Sequence, residues 1–146
     1  MSLDELYRQV ILEHYRNPRH RGTLTVPDGH ADGQNPLCGD EVAIDVAVAD
    51  GRVTDVAVKG QGCSISQASA SMMADAVVGL TLEEVADLTR RFKVMMDIEE
   101  GDDVDAAAMG DLAALQGVRR FPVRIKCADL PWVTLGEALD DAGAGD

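Results

Sequence analysis

Alternation of residue type between Val42 and Val48 is the feature that most limits how this chain can fold. Every second residue there is Val or Ile, which is typical of a strand with one buried face. Asp50-Gly51, a pair that two-residue hairpin turns prefer, follows this run, and residues 53–58 return as a second strand. The sequence therefore predicts an antiparallel hairpin. After a turn at Gly60-Gln61-Gly62, we expect a short third strand at residues 63–65.

Apolar residues at spacings of three and four predict helices on both sides of the hairpin. The first helix ends at Asn17-Pro18, and two others follow the strands, the second of them opening on a Thr81/Glu84 capping box. Asp111 is expected to cap a short helix, and Phe121-Pro122 opens the last one.

The remaining segments are expected to be irregular. Residues 19–37 contain few apolar positions and are predicted to form a long loop, and the acidic residues 97–105 a solvated loop. The order of elements predicts an α+β fold in which about five helices cover a three-stranded antiparallel sheet. We expect residues 1–146 to form a single domain with a disordered tail at 142–146.

Charge and hydropathy exclude several classes of partner. The chain has a formal net charge of −13, which would repel a nucleic-acid backbone. No apolar run approaches the roughly 18–20 residues of a membrane span, and the N-terminus does not look like a signal peptide. We therefore expect neither nucleic acid nor membrane as a partner, and a cytoplasmic location. An odd number of cysteines, three, argues against a disulfide framework there.

Each of the three cysteines lies at the edge of a predicted element. Cys38 precedes the first strand of the hairpin, Cys63 precedes a helix, and Cys127 lies near the start of the last helix. Their spacings match no local zinc motif. They could be three unrelated core residues, since free cysteine is often buried.

Their positions also allow a common site. The strand order lets all three cysteines meet at one end of the sheet, and with Asp40 they would form a tetrahedral set suited to Zn²⁺. Such a site would carry a charge of about −2, which the neighbouring Arg124 and Lys126 could balance. The rival ligands are three histidines. They are predicted to be a packed residue (His14) and two solvated ones (His20 and His30).

Four segments together resemble the SufU-type proteins of the IscU/NifU superfamily of iron–sulfur cluster assembly. The first is the opening helix with its basic turn, and the other three each surround one cysteine. They read LYRQVILEHYRNPRHRG, NPLCGDEV, GQGCSISQASASMMADAV and GVRRFPVRIKCADLPW. The resemblance covers nearly the whole chain and implies the SufU/IscU-like fold.

The resemblance implies that Cys38, Asp40, Cys63 and Cys127 bind one zinc ion and that Cys38 is the sulfur acceptor. The implied partners are a PLP-dependent cysteine desulfurase of the SufS type and a downstream SUF cluster assembly scaffold. In such proteins the desulfurase is thought to supply a histidine that replaces the acceptor cysteine on zinc. We expect the Cys38 loop to swing, whereas Cys63 and Cys127 stay in place on regular elements.

Two alternatives remain. An IscU-type scaffold carries the same cysteines and builds a [2Fe–2S] cluster on them, but it has a histidine where this chain has Lys126, and a shorter interval between the second and third cysteines. A structural zinc module would not use an oxygen ligand on a mobile loop. We also expect Arg124 to hydrogen-bond Asp40 or to steady a persulfide, so that Arg124 and Lys126 join Cys38 as candidate catalytic residues.

Overall fold

The computed structural model of the chain describes residues 3–102 and 104–143. Its regular elements begin with a helix, continue through three strands and finish with helices. In chain order they are α1 (Leu3–Arg16), β1 (Gly29–Asn35), β2 (Asp40–Ala49), β3 (Arg52–Gln61), α2 (Ser64–Val77), α3 (Leu82–Met95), a 3-10 segment (Ala106–Arg120) and α4 (Pro122–Asp141). The α+β fold with three strands and five helical segments is confirmed.

The three strands form one antiparallel sheet in the order β1-β2-β3. β2 and β3 make the predicted hairpin. Asp50 and Gly51 connect them with positive φ angles of 54° and 74°, as a type I′ turn requires. β1 pairs with the other edge of β2 and ends with Asn35 opposite Asp40. The end of β1 therefore lies beside the start of β2.

The third strand lies elsewhere than predicted. Residues 63–65 do not form a strand, because Cys63 is the N-cap of α2 and its sulfur accepts a hydrogen bond from the Ser66 N–H. The third strand is β1 instead, within the 19–37 segment that we expected to be a loop. The sheet therefore gains its extra strand before the hairpin in sequence.

β1 is hard to recognise in the sequence because its inward-facing residues are small. Gly29, Ala31 and Gly33 alternate toward α4, so the segment shows no alternation of large apolar residues. A Cβ atom at Gly29 would collide with the carbonyl oxygen of Ala138, and one at Gly33 with the Oγ1 atom of Thr134. Glycine at these positions lets α4 lie directly on the backbone of β1.

The helices α2 and α4 pack on the sheet and share its hydrophobic core. Phe92 from α3 stacks on Trp132 from α4 with ring centroids 4.5 Å apart. The Ser69 hydroxyl of α2 donates to the Ala128 carbonyl at 2.6 Å and accepts from the Trp132 indole N–H at 3.2 Å. These contacts fix the position of α4, and with it that of Cys127, relative to the sheet.

The 3-10 segment differs from its prediction. It runs to Arg120, with a break at Gly110 where φ is 60°, rather than forming one short helix after Asp111. The Asp111 carboxylate lies 2.8 Å from Nε2 of His14 in α1 instead of capping a helix. The capping box of Thr81 and Glu84 at the start of α3 is confirmed.

The described C-terminus extends slightly past α4. The Ala142 N–H donates to the Ala138 carbonyl, and residues 144–146 of the predicted tail lie outside the described residues. Within the described ranges, no helix has both the length and the apolar character needed to cross a bilayer.

Candidate metal centre

Strand pairing brings distant parts of the chain to one end of the sheet. The turn after β1 holds Cys38, and β2 begins at Asp40. Because β2 and β3 are antiparallel, β3 ends beside the start of β2, and Cys63 follows two residues later. α4 packs across β1 and β2 and carries Cys127 to the same end. The structure thus gathers the predicted ligand side chains in one place.

Cys38, Asp40 and Cys127 form the compact part of this cluster. Two sulfur atoms and a carboxylate oxygen lie within 4.8 Å of one another. The sulfurs of Cys38 and Cys127 are 3.0 Å apart, in hydrogen-bonding contact. Asp40 is 1% exposed and Cys127 is 0% exposed, whereas Cys38 is partly exposed. One ion placed among these atoms could contact all three groups.

Cys63 joins the cluster through Asp40. Its backbone N–H donates to Oδ1 of Asp40 at 2.8 Å, and its sulfur lies 3.8 Å from Oδ2. This sulfur is not part of the 4.8 Å group. Cys63 is also the N-cap residue of α2, and its sulfur accepts the N–H of Ser66.

Gly62 allows the Asp40 carboxylate to reach Cys63. Its φ angle is +149°, and a Cβ atom there would collide with Oδ1 of Asp40. A larger residue at position 62 would therefore displace the carboxylate. The sequence analysis assigned Gly62 only to a turn, although a glycine directly before a cysteine was the available signal.

Asn35 is a second contributor that the sequence analysis missed. It is buried at the end of β1, and its side-chain amide donates to the Cys127 sulfur at 3.7 Å. Its carbonyl accepts the N–H of Cys38 at 3.2 Å and closes the turn between the strands. Asn35 thus holds both cysteines in register, and no spacing rule in the sequence reveals these contacts.

Arg124 and Lys126 lie in different surroundings. Arg124 lies close to Cys63, and electrostatic attraction to the Cys63 sulfur raises the pKa of the Arg124 guanidinium. No hydrogen bond joins Arg124 to Asp40 among the described residues, and a role of Arg124 in steadying a persulfide stays a prediction. Lys126 is exposed on α4. The structure therefore brings Arg124 to the cluster, and the role of Lys126 stays a prediction.

Burial makes Cys127 a poor acid in the metal-free chain. Burial first, and then hydrogen bonds with Cys38 and Asp40, raise the pKa of the Cys127 thiol far above its usual value. The thiol is therefore neutral at pH 7. A metal ion must displace its proton, so metal binding by this cluster would release protons.

The three histidines have partners away from the cysteines. His14 is buried, as predicted, between the Ser71 hydroxyl at 2.7 Å and Asp111 at 2.8 Å. His30 contacts Asp45 at 2.6 Å, and His20 pairs with an aspartate of α2. Because the three imidazoles contact these other residues, none of the three is positioned as a ligand of the cluster.

Zinc fits this donor set. A buried carboxylate among thiols is costly without a cation, and Asp40 has its Cys63 contacts but no cationic partner in the described part of the chain. Tetrahedral zinc, with bonds of ~2.3 Å to sulfur, separates its sulfur ligands by about 3.8 Å. The Cys38 and Cys127 sulfurs, 3.0 Å apart, would have to separate to bind one such ion, and Cys38 is the partly exposed residue of the two.

The fold and the site together define a small α+β protein with a thiol–carboxylate cluster that could hold a metal ion at one end of its sheet. The family model described as the NifU-like N terminal domain matches residues 6–128. The chain belongs to this family, within the IscU/NifU superfamily.

Known relatives resemble the chain over nearly its full length. A Bacillus subtilis (strain 168) protein named zinc-dependent sulfurtransferase SufU is 44% identical over 144 residues, 97% of this chain and 96% of that protein. The iron–sulfur cluster assembly scaffold protein IscU of Streptococcus pyogenes serotype M1 is 40% identical over 140 residues, 94% of this chain and 85% of that protein. The solved structure of the N-terminal part of a nitrogen-fixing NifU-like protein from Brucella abortus superposes with a TM-score of 0.84 at 26% identity, covering 99% of each chain.

Proposed function

We propose that this protein is a zinc-dependent sulfurtransferase of iron–sulfur cluster assembly. A PLP-dependent cysteine desulfurase of the SufS type forms a persulfide from free cysteine and transfers its outer sulfur to Cys38. Cys38 then delivers the sulfur to a downstream SUF cluster assembly scaffold. The identity of 44% to the Bacillus sulfurtransferase over 144 residues supports this reading of the site. The three cysteines, an odd number and all free, also support a reducing, cytoplasmic setting.

The observation that carries the proposal is the unequal placement of the cysteines, one on a turn and two on helices. Cys38 lies on a short turn, flanked by Leu37 with 72% exposure and by Gly39 with a φ angle of 68°. Cys127 is buried inside α4, and Cys63 is held as the cap of α2. Only Cys38, among these three, is placed to leave the cluster and meet a partner while the others stay.

The transfer step balances without an added oxidant or reductant. The Cys38 thiolate attacks the outer sulfur of the desulfurase persulfide. A new sulfur–sulfur bond forms on Cys38, the old one breaks, and the desulfurase cysteine leaves as a thiolate. A persulfide now occupies Cys38, and the same exchange passes its outer sulfur to the next acceptor.

The other residues of the cluster prepare Cys38 for this step. Asp40, Cys63 and Cys127 would hold zinc while Cys38 moves. Zinc keeps thiols deprotonated at neutral pH and has no redox chemistry of its own. The Arg124 guanidinium, which lies close to Cys63, provides a positive charge for the anionic sulfur. Lys126 contributes charge balance in this proposal.

A scaffold that builds a [2Fe–2S] cluster is the second candidate. The similarity to the Streptococcus scaffold, 40% identical over 140 residues, favours it, and three thiolates with a carboxylate can hold such a cluster. Lys126 at the position where IscU-type scaffolds have histidine argues for sulfur transfer.

Alanine release by the cognate cysteine desulfurase tests the proposal. The enzyme is supplied with cysteine and a reductant while the zinc-loaded protein or its Cys38→Ser variant is titrated in. We expect the unaltered protein to stimulate release strongly. The variant should not, even where its measured zinc content shows that the remaining ligands still hold metal.

The controls separate the two candidates. Removal of zinc from the unaltered protein should also abolish the stimulation. Weak stimulation, together with a stable cluster formed on the protein from iron and cysteine without oxygen, would contradict the proposal and favour the scaffold.

A further inference from the structure

A groove lies against the cysteine cluster, between α1 and the start of α4. We call it the α1–α4 groove, and its volume is about 680 Å³, within the range of small-molecule sites. The start of α2 and the 3-10 segment complete its walls. Apolar and basic side chains line it, among them Ile11, Ile65, Val118, Arg8, Arg120 and Arg124.

The charge of this groove is opposite to that of the molecule. The chain contains 26 acidic residues and carries a net charge of −13. None of the described residues that line the groove is acidic, whereas Arg8, Arg120 and Arg124 are basic. Such a local reversal of charge concentrates small anions, and guanidinium groups suit carboxylates in particular.

One end of the groove reaches the sulfur chemistry. Cys63 lines it, and the Cys63 sulfur lies 3.8 Å from Oδ2 of Asp40, which belongs to the compact cluster with Cys38. Arg124 lines it as well. A molecule bound along the groove would place one end beside these groups. Its other end would lie near other lining residues, among them Arg8.

We propose that the α1–α4 groove binds a low-molecular-weight thiol with carboxylate groups, which takes sulfur from Cys38. A carboxylate of the ligand contacts Arg8, and the apolar side chains cover the body of the ligand. The ligand's thiolate attacks the outer sulfur of the Cys38 persulfide, a new sulfur–sulfur bond forms on the ligand, and Cys38 leaves as a thiolate. The transfer step rests on the proposed function, whereas binding in the groove does not.

Calorimetric titration of the zinc-loaded full chain with S-methylglutathione tests binding alone. This probe has two carboxylates and no free thiol. We expect binding at one site that weakens about fivefold in Arg8→Gln, because this variant removes a carboxylate partner. Arg90→Gln is the matched control, because it removes one positive charge from α3, where Arg90 bonds Asp87 of the same helix. Absence of binding, or equal loss in the Arg90→Gln control, would overturn the proposal.

Sulfur release tests the transfer step. Cys38 is loaded with persulfide by the desulfurase, the protein is separated, and glutathione or the uncharged thiol β-mercaptoethanol is added. The release rate should saturate with glutathione concentration, and Arg8→Gln should raise the half-saturating concentration. With β-mercaptoethanol it should rise linearly and be the same in the variant. Linear release by both thiols would overturn the transfer step, whereas failure to load Cys38 would defeat the proposed function and leave the binding result standing.

Discussion

At the scale of single residues, neighbouring charges on α4 have separate surroundings. Arg124 and Lys126 are two positions apart, so a helix turns their side chains in very different directions. Both residues are exposed, but Arg124, which lies one turn before Cys127, lines the α1–α4 groove together with Cys63, and Lys126 is not among the lining residues. The charge next to Cys127 in sequence is therefore not the one that reaches the sulfur atoms.

Replacing Arg124 should slow sulfur transfer without removing zinc. We expect Arg124→Ala to lower the desulfurase-stimulated rate by about tenfold, because a positive charge beside the cluster is lost. Arg124→Lys should recover part of the rate, and Lys126→Ala should have a smaller effect. Alanine release and zinc content are measured on the same samples. An unchanged rate in Arg124→Ala would remove this role.

The residues of the cluster differ in how far the sequence could predict them. Cys38, Asp40, Cys63 and Cys127 stood out by residue type and by their places at the edges of elements. Asn35 and Gly62 did not, because the first acts through an amide contact to a distant sulfur and the second through the space that it leaves empty. Such contributions depend on packing that a local pattern does not record. Metal binding by the four ligands stays a prediction.

At the scale of elements, β1 has little apolar surface to hold it in place. Its inward residues are small, and polar contacts supplement the pairing with β2. His30 bonds Asp45 of β2 through Nδ1 at 2.6 Å, and its backbone N–H donates to Asp141 of α4 at 2.9 Å. The sequence did not predict this strand for the same reason. The strands of the hairpin can be recognised by large apolar residues at alternate positions, and β1 has none.

The contact between His30 and Asp45 should make stability depend on pH. Hydrogen bonds to Asp45 and then to Asp32 raise the pKa of His30 above its usual value of 6.5. The protonated form thus stabilises the folded state fully below pH 6.5, and this contribution is lost as the pH rises through the raised pKa. Asp45→Asn should therefore lower the melting temperature more at about pH 6 than at about pH 9.

A second variant checks the origin of this effect. His30→Gln removes the titrating group, so its melting temperature should lose the same pH-dependent part. An NMR titration of the imidazole should show a lower pKa for His30 in Asp45→Asn. Equal destabilisation by Asp45→Asn at both pH values would show that the aspartate acts only through its bond to the Leu24 N–H.

At the scale of the whole molecule, the net charge of −13 acts beyond any single contact. A field of this size steers encounters with a partner that presents a basic patch. We therefore expect association with the desulfurase to slow by roughly tenfold between low and high ionic strength, as steered encounters do. Stopped-flow association rates across a salt series provide the measurement. A rate that does not change with salt would contradict steering.

The wide separation of the cluster's members along the chain ties the metal to the integrity of the fold. Cys38 and Cys127 are 89 residues apart, and the sheet and α4 must both be in place before their sulfurs meet. An ion held by them would act as a reversible cross-link between the two halves of the molecule, and an unfolded chain could not bind it in the same way. Free metal would then shift the folding equilibrium by mass action. The amount of folded protein in a cell would follow its metal supply, so that a starved cell loses the protein itself as well as its activity.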